Sequence, residues 1–177
     1  MQLLLLRHPP VALAAGICYG SSDVAAQSLS ATDLARLRAQ IPEQAVIWTS
    51  PARRCQQLAA QLARGSSRPN IDARLREMDF GQWEMRRFDD IDRDLIDAWA
   101  EDPWGFVPPG GESAEAMHSR VLQFLHDLRQ RHRQGPTLII AHAGSLRVIR
   151  GHLAGLPRSQ WLNLECEPAG LFRLDCA

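Results

Sequence analysis

The sequence predicts a three-layer α/β/α sandwich, with helices on both faces of a mostly parallel central sheet. Two observations carry that prediction. Short apolar runs at 2–7, 45–49 and 137–141 alternate with stretches of helical periodicity. Each run also stops abruptly at polar or charged residues, as strands buried on both faces do. A chain of 177 residues suits one domain, 1–177, around a single sizeable core.

Gln2 to Arg7 reads as a buried strand, and residues 8–29, rich in Gly, Pro, Ser and Ala, read as a loop. Ser30 caps the next helix, with Asp33 in the capping-box position. Leu34, Leu37 and Ile41 mark its inner face, and Pro42 stops it. Ala45 to Thr49 is a second strand. Ser50-Pro51 then reads as an N-cap followed by proline at the first helical position, with Cys55, Leu58, Ala59 and Leu62 as the apolar stripe. Gly65 to Asn70 is a break, and Ile71 to Trp83 is extended and irregular. Phe88 to Ala100 is predicted to be a helix, and Pro103 to Ser113 a loop. Ser113 caps a long helix whose inner face is Met117, Val121, Phe124, Leu125 and Leu128, and which ends at Arg131, His132 and Arg133 before Gly135-Pro136. Thr137 to Ala141 is a third strand, Ser145 to Leu153 a helix, and 162–165 and 171–174 two final strands.

Composition narrows the class. Twenty basic and twenty acidic residues give a formal charge of zero, and every cation is arginine. No strongly basic face is implied, so nucleic acid is not expected as a partner. No stretch reaches the length of a membrane span, and no membrane partner is expected. Cys18, Cys55, Cys166 and Cys176 are scattered without metal spacing, which fits a reducing cytoplasmic setting and predicts no metal site.

The ends of the three strands hold the chemistry. The first ends in Arg7-His8, the second in Ser50-Pro51 with Arg54 a turn beyond, and the third in His142. Ligands of open α/β sheets sit beyond the carboxyl ends of the strands. A lone histidine after a strand is usually a hydrogen-bonded structural residue. Two histidines and two arginines at three such ends form a pattern. Arg54 is also unexpected in a first helical turn, where the dipole disfavours a cation unless an anion lies nearby. His118, His126, His132 and His152 fall on predicted helices without a ligand pattern, and 89–97 reads as a solvated acidic face.

The blocks LLLLRHP, SPARRCQQLA, LREMDFGQWE, PPGGES and IIAHAG, in this order along nearly the whole chain, resemble the histidine phosphatase superfamily, also called phosphoglycerate mutase-like. Within it, ICYGSSDV and EMDFGQWEMR are most similar to α-ribazole phosphatases, which remove a 5′-phosphate late in cobalamin synthesis. The resemblance implies a metal- and cofactor-independent phosphomonoesterase acting on a small phosphate monoester, as a monomer or homodimer. A general phosphatase, a phosphoglycerate mutase-like enzyme and an inactive phosphate-binding module are the alternatives.

The same resemblance implies the roles. His8 is the nucleophile; Arg7, Arg54, His142 and the N–H of Ala143 hold the phosphate; Glu77 is the general acid, with Glu84 the rival carboxylate. The chain departs from the family pattern at Pro9, Val11 and Ala14, where glycine and polar residues are usual. Ser21 or Ser22 is expected to supply the lost contacts. Proline after His8 is expected to hold that residue extended.

Overall fold

Five strands form one sheet in the order β3-β2-β4-β1-β5. The computed structural model describes residues 2–65, 68–131 and 135–175. The strands are β1 (Gln2–Arg7), β2 (Val46–Thr49), β3 (Asn70–Ile71), β4 (Pro136–Ala141) and β5 (Leu171–Asp175). β1, β2, β3 and β4 run parallel, and β5 pairs antiparallel with β1 at one edge. The helices are α1 (Ala31–Gln40), α2 (Arg53–Leu62), α3 (Arg93–Glu101), α4 (Ala114–Arg131) and α5 (Ala143–Leu153).

The leucine run explains the layering. Leu3 and Leu5 face α4 and α5, packing with Val121, Phe124, Leu146 and Ile149. Leu4 and Leu6 face α1 and α2, packing with Leu37, Cys55, Leu58 and Leu62. All four leucines are fully buried, because alternate side chains of a central strand serve opposite faces. A smaller cluster of Cys18, Trp83 and Ile91, joined by Phe80, Trp99 and Phe106, ties the loop after β1 to the segment before α4.

Register delivers the strand ends to one place. Arg7 pairs with Ala141 and Thr49 with Ile140. The N–H groups of His8 and Ser50 extend this ladder, donating to the carbonyls of Ala141 and Ile140 at 3.1 and 3.0 Å.

Several boundaries differ from the sequence reading. Ser50 does not cap α2. It stays on the sheet ladder, and the helix begins after Ala52, where the Asp23 carboxylate accepts from the N–H of Arg53. The helix expected over 88–100 is split. Phe88–Asp90 is a 3₁₀ turn, and Asp92 caps α3 by accepting from the N–H of Asp94. The strand expected over 162–165 is absent, because Arg158–Asn163 forms a 3₁₀ turn. Trp161 anchors that turn through its indole N–H on the Leu156 carbonyl and against Gly151, where a Cβ would lie 2.5 Å from the indole. α5 starts at Ala143 rather than Ser145, with His142 at its N-cap. His132, Arg133 and Cys176 lie outside the described residues.

Candidate active site

His8 leaves the end of β1 almost fully buried, held by its backbone on both sides: its N–H donates to Ala141, and its carbonyl accepts from Ala169. Its Nδ1 lies 2.6 Å from the Pro9 carbonyl, which can only accept. The ring proton therefore sits on Nδ1, and Nε2 keeps a free lone pair. Burial pushes the imidazole pKa down to about 4, with Arg54 and Arg7 adding to the shift and the Pro9 carbonyl opposing it. His8 is thus neutral near pH 7.

Arg54 is fully buried on the first turn of α2. Its Nη2 and Nη1 donate to the carbonyls of Gly20 and Ser22, each at 2.6 Å, and its Nε to His142 Nδ1 at 3.3 Å. Arg7 Nη1 donates to the Cys166 carbonyl at 2.6 Å, while its buried Nε has no partner among the described residues. Neither arginine is ion-paired with a carboxylate among the described residues. Among the described residues the two guanidiniums are met by carbonyl dipoles and, at Arg54 Nε, by His142, with no carboxylate paired to them, surroundings that suit an anion.

His142 lies beside His8, ring centroids 5.2 Å apart and edge-on. Its Nε2 is 2.8 Å from Ser50 Oγ. Burial, then the charges of Arg54, His8, Arg120 and Arg7, hold its pKa well below the usual histidine value. The first N–H groups of α5, from Ala143 and Gly144, stand at the positive end of that helix. Gly144 N–H donates to Glu77 Oε2 at 2.9 Å, and Met78 N–H to Glu77 Oε1 at 3.0 Å. Glu77 is therefore fixed at the N-terminal end of α5, next to His142.

Arg7, His8, Arg54, Glu77, His142 and Ala143 line one cavity of about 340 Å³. Its outer wall is apolar: Tyr19, Phe80, Trp99, Met117 and Leu162, with Arg147 at one side. The structure treats the rival Glu84 differently. Its carboxylate accepts from the N–H groups of Gly20, Ser21, Ser22 and Phe80 and from both serine hydroxyls. These bonds, outweighing burial, hold its pKa below the usual carboxylate value. Glu84 thus shapes the loop whose carbonyls hold Arg54. Ser21 lines a neighbouring recess with Arg54, Glu77 and His142, but its hydroxyl is engaged with Asp79 and Glu84. Ala14 is exposed, and Val11 bridges to Ala26 in the folded-back loop.

Sequence reasoning missed Ser50, because Ser-Pro after a strand reads as a helix start, and missed the cradle that Gly144 makes for Glu77. His118 is nearly buried, against Trp104 and Trp161. Among the described residues no group of three or more His, Cys, Asp or Glu side chains is placed to hold a metal ion, and no helix is long and apolar enough to cross a membrane.

Comparison with known proteins gives the arrangement a context. The model of the histidine phosphatase superfamily (branch 1) matches residues 3–177. Phosphoserine phosphatase 1 of Hydrogenobacter thermophilus is 27% identical over 70% of this chain and 61% of its own length. The adenosylcobalamin/alpha-ribazole phosphatase of Escherichia coli is 34% identical over 47% of this chain and 42% of its own. The chain thus spans less than two thirds of these relatives. The crystal structure of the alpha-ribazole phosphatase from Shigella flexneri superposes with a TM-score of 0.86 at 25% identity, covering 99% of this chain and 90% of that one.

Proposed function

The chain belongs to the histidine phosphatase superfamily, branch 1, and on that basis we propose that it hydrolyses phosphate monoesters through a phosphate carried on His8, with α-ribazole 5′-phosphate as its substrate. The observation that carries the reaction is the neutral His8, its Nε2 free, beside two guanidiniums that no carboxylate among the described residues neutralises. The phosphoryl group supplies the missing negative charge.

Phosphate-monoester hydrolysis is among the slowest uncatalysed reactions, and a nitrogen nucleophile divides it into two easier steps. In the first, His8 Nε2 forms the P–N bond as the bond to the ester oxygen breaks. Glu77, entering as the acid, gives its proton to that oxygen, and the alcohol leaves. In the second, the Glu77 carboxylate takes a proton from water, the oxygen attacks phosphorus, the P–N bond breaks and inorganic phosphate departs. Arg7, Arg54 and the Ala143 N–H hold the non-bridging oxygens where transition-state charge is spread. His142 joins them in the tautomer that carries its proton on Nδ1 and accepts a hydrogen bond from the Ser50 hydroxyl at Nε2, with Arg54 Nε turned from Nδ1 to the phosphate. The N–H of Ala52 supports that direction by donating to Ser50 Oγ at 3.3 Å.

The substrate assignment is supported by the apolar, aromatic outer wall of the cavity and by the names of the Escherichia coli and Shigella flexneri relatives. Such a wall suits a flat heteroaromatic leaving group better than the ammonium and carboxylate of phosphoserine, which need polar partners when buried. The test is kcat/KM for α-ribazole 5′-phosphate against phosphoserine and sugar phosphates, with a chelator present. A preference of at least about tenfold for α-ribazole phosphate is expected, equivalent to about 1.4 kcal/mol. Higher kcat/KM for phosphoserine or a sugar phosphate would reassign the substrate, and no turnover of any ester would reduce the chain to a phosphate-binding module.

A further inference from the structure

We propose that Arg120, held by Glu112, is the positioning residue for Glu77: its guanidinium fixes the backbone carrying the general acid and so governs proton delivery to the leaving group. The proposal rests on the reading of Glu77 as that acid. Arg120 lies in α4, and its Nη1 donates to the carbonyls of Arg74 and Arg76 at 2.7 and 2.8 Å. Its Nη2 donates to the carbonyl of Glu77 itself at 3.1 Å. The same guanidinium bonds both carboxylate oxygens of Glu112. Glu112 then reaches the far side of the acid: its carboxylate accepts from the N–H of Asp79, and its own N–H donates to the Asp79 carbonyl.

Residues on both sides of Glu77 are thus tied to one ion pair. The segment needs such a tie. Residues 76–80 lie between two 3₁₀ turns and belong to no strand or helix, so no ladder fixes their backbone. Only a planar fork with several donors can hold three carbonyls and a carboxylate together. The pair is also shielded, with Arg120 and Glu112 side chains 17% and 22% exposed, unlike a freely solvated surface bridge.

This gives PPGGES a physical role in the chain. A Cβ on Gly111 would lie 2.4 Å from the Asp79 carbonyl oxygen, so glycine lets this loop lie directly on the acid-bearing segment. Glu112 supplies the carboxylate for Arg120, and Ser113 accepts from the N–H of Ala116 at the start of α4.

The test is a series of phosphate esters running from p-nitrophenyl to alkyl leaving groups. It is run on wild type, Glu77→Gln, Arg120→Lys, Glu112→Gln and the Glu77→Gln/Arg120→Lys double variant, with a melting temperature for each. The ratio kcat/KM reports the first phosphoryl transfer, where the leaving group takes its proton. Glu77→Gln should lose about 10²- to 10⁴-fold on alkyl esters and only a few-fold on p-nitrophenyl phosphate. Arg120→Lys keeps the charge but not the fork. It should lose on the order of 10²-fold on alkyl esters, the scale of a 1 Å misplacement, and little on p-nitrophenyl phosphate. In the double variant it should add almost nothing, as members of one unit do. Should Arg120→Lys not fold, Glu112→Gln carries the same test, with a loss on the order of tenfold confined to alkyl esters. Equal losses on aryl and alkyl esters in the Arg120 and Glu112 variants, while Glu77→Gln stays leaving-group dependent, would make the pair a structural tie and overturn the proposal. Absence of leaving-group dependence in Glu77→Gln would overturn the acid reading and the proposal with it.

Discussion

Gly144→Ala isolates the placement of Glu77, the proposed acid, from the other features of the site. Gly144 sits in the first turn of α5, and its backbone has no conformational need for glycine. What excludes a side chain is Glu77. A Cβ at Gly144 would stand 2.3 Å from Glu77 Oε1 and 3.1 Å from its Cδ. Ordinary contact begins at 3.4 Å, so the carboxylate must retreat by about 1 Å. The retreat also lengthens the 2.9 Å bond from the Gly144 N–H to Oε2. A misplacement of that size costs about 10²-fold when the moved group acts in the transition state. General acid catalysis as a whole is worth about 10²- to 10⁴-fold. Gly144→Ala should therefore lower kcat/KM for an alkyl phosphate by about 10²- to 10³-fold. It should leave p-nitrophenyl phosphate within a few-fold, because p-nitrophenolate departs without a proton.

The fold should survive the same change. The obstructed atom is the end of a flexible side chain, which can move. Alanine gains about 0.5–1 kcal/mol over glycine inside a helix. The weakened hydrogen bond to a charged group costs up to about 1.5–3 kcal/mol. The net change is at most about 2.5 kcal/mol, or a melting shift of at most about 10 °C for a domain of this size. Steady-state kinetics on the two esters, with a thermal melt, make the assay. Alkyl phosphate turnover within about threefold of wild type would refute the argument from Glu77 geometry; so would an equal fall on both esters.

The pKa of His8 makes stability depend on pH with a definite sign. Its folded value is about 4 against 6.5 for the free group, so on acidification the unfolded chain binds the proton first. Its contribution is intact above pH 6.5, falls between 6.5 and about 4, and changes no further below that. Urea unfolding should show about 2 kcal/mol of this loss by about pH 5, absent in His8→Asn; an unchanged pH slope in that variant would assign the effect elsewhere. Glu84→Gln tests the loop that holds Arg54. With part of its hydrogen bonding to Gly20, Ser21 and Ser22 disrupted, inhibition by inorganic phosphate should weaken about tenfold, while the dependence on leaving group stays that of wild type. A steeper dependence in Glu84→Gln than in Glu77→Gln would exchange the roles of the two carboxylates.

The parts of the fold readable in sequence were those written locally. β1 and β4 are buried on both faces, so they appear as unbroken apolar runs, and Arg7-His8 and His142 stand out where the runs stop. Caps at Ser30 and Ser113 act within three residues and were equally plain. What the sequence concealed is non-local. Ser50 resembles a helix cap until β4 places His142 beside it. Glu84 looks like a second candidate acid until the loop more than sixty residues earlier wraps its carboxylate. The reach of Arg120 back to Arg74 and Glu77 crosses more than forty residues and follows no period. Residues 162–165 look like a strand in sequence, but the 3₁₀ turn at Arg158–Asn163 takes their first half, and its shape is set by the fit of Trp161 on Gly151.

The central claim is that phosphate passes through His8, and the direct measurement is to trap it there. Wild-type protein, quenched during turnover of a phosphate ester labelled in the phosphoryl group, should carry label that is labile in acid and stable in alkali. Peptide mapping should place it on His8, and His8→Asn should carry none while melting as a folded protein near pH 7. Label on a serine such as Ser50, or no covalent phosphate in a single turnover fast enough to capture the first step, would contradict the account.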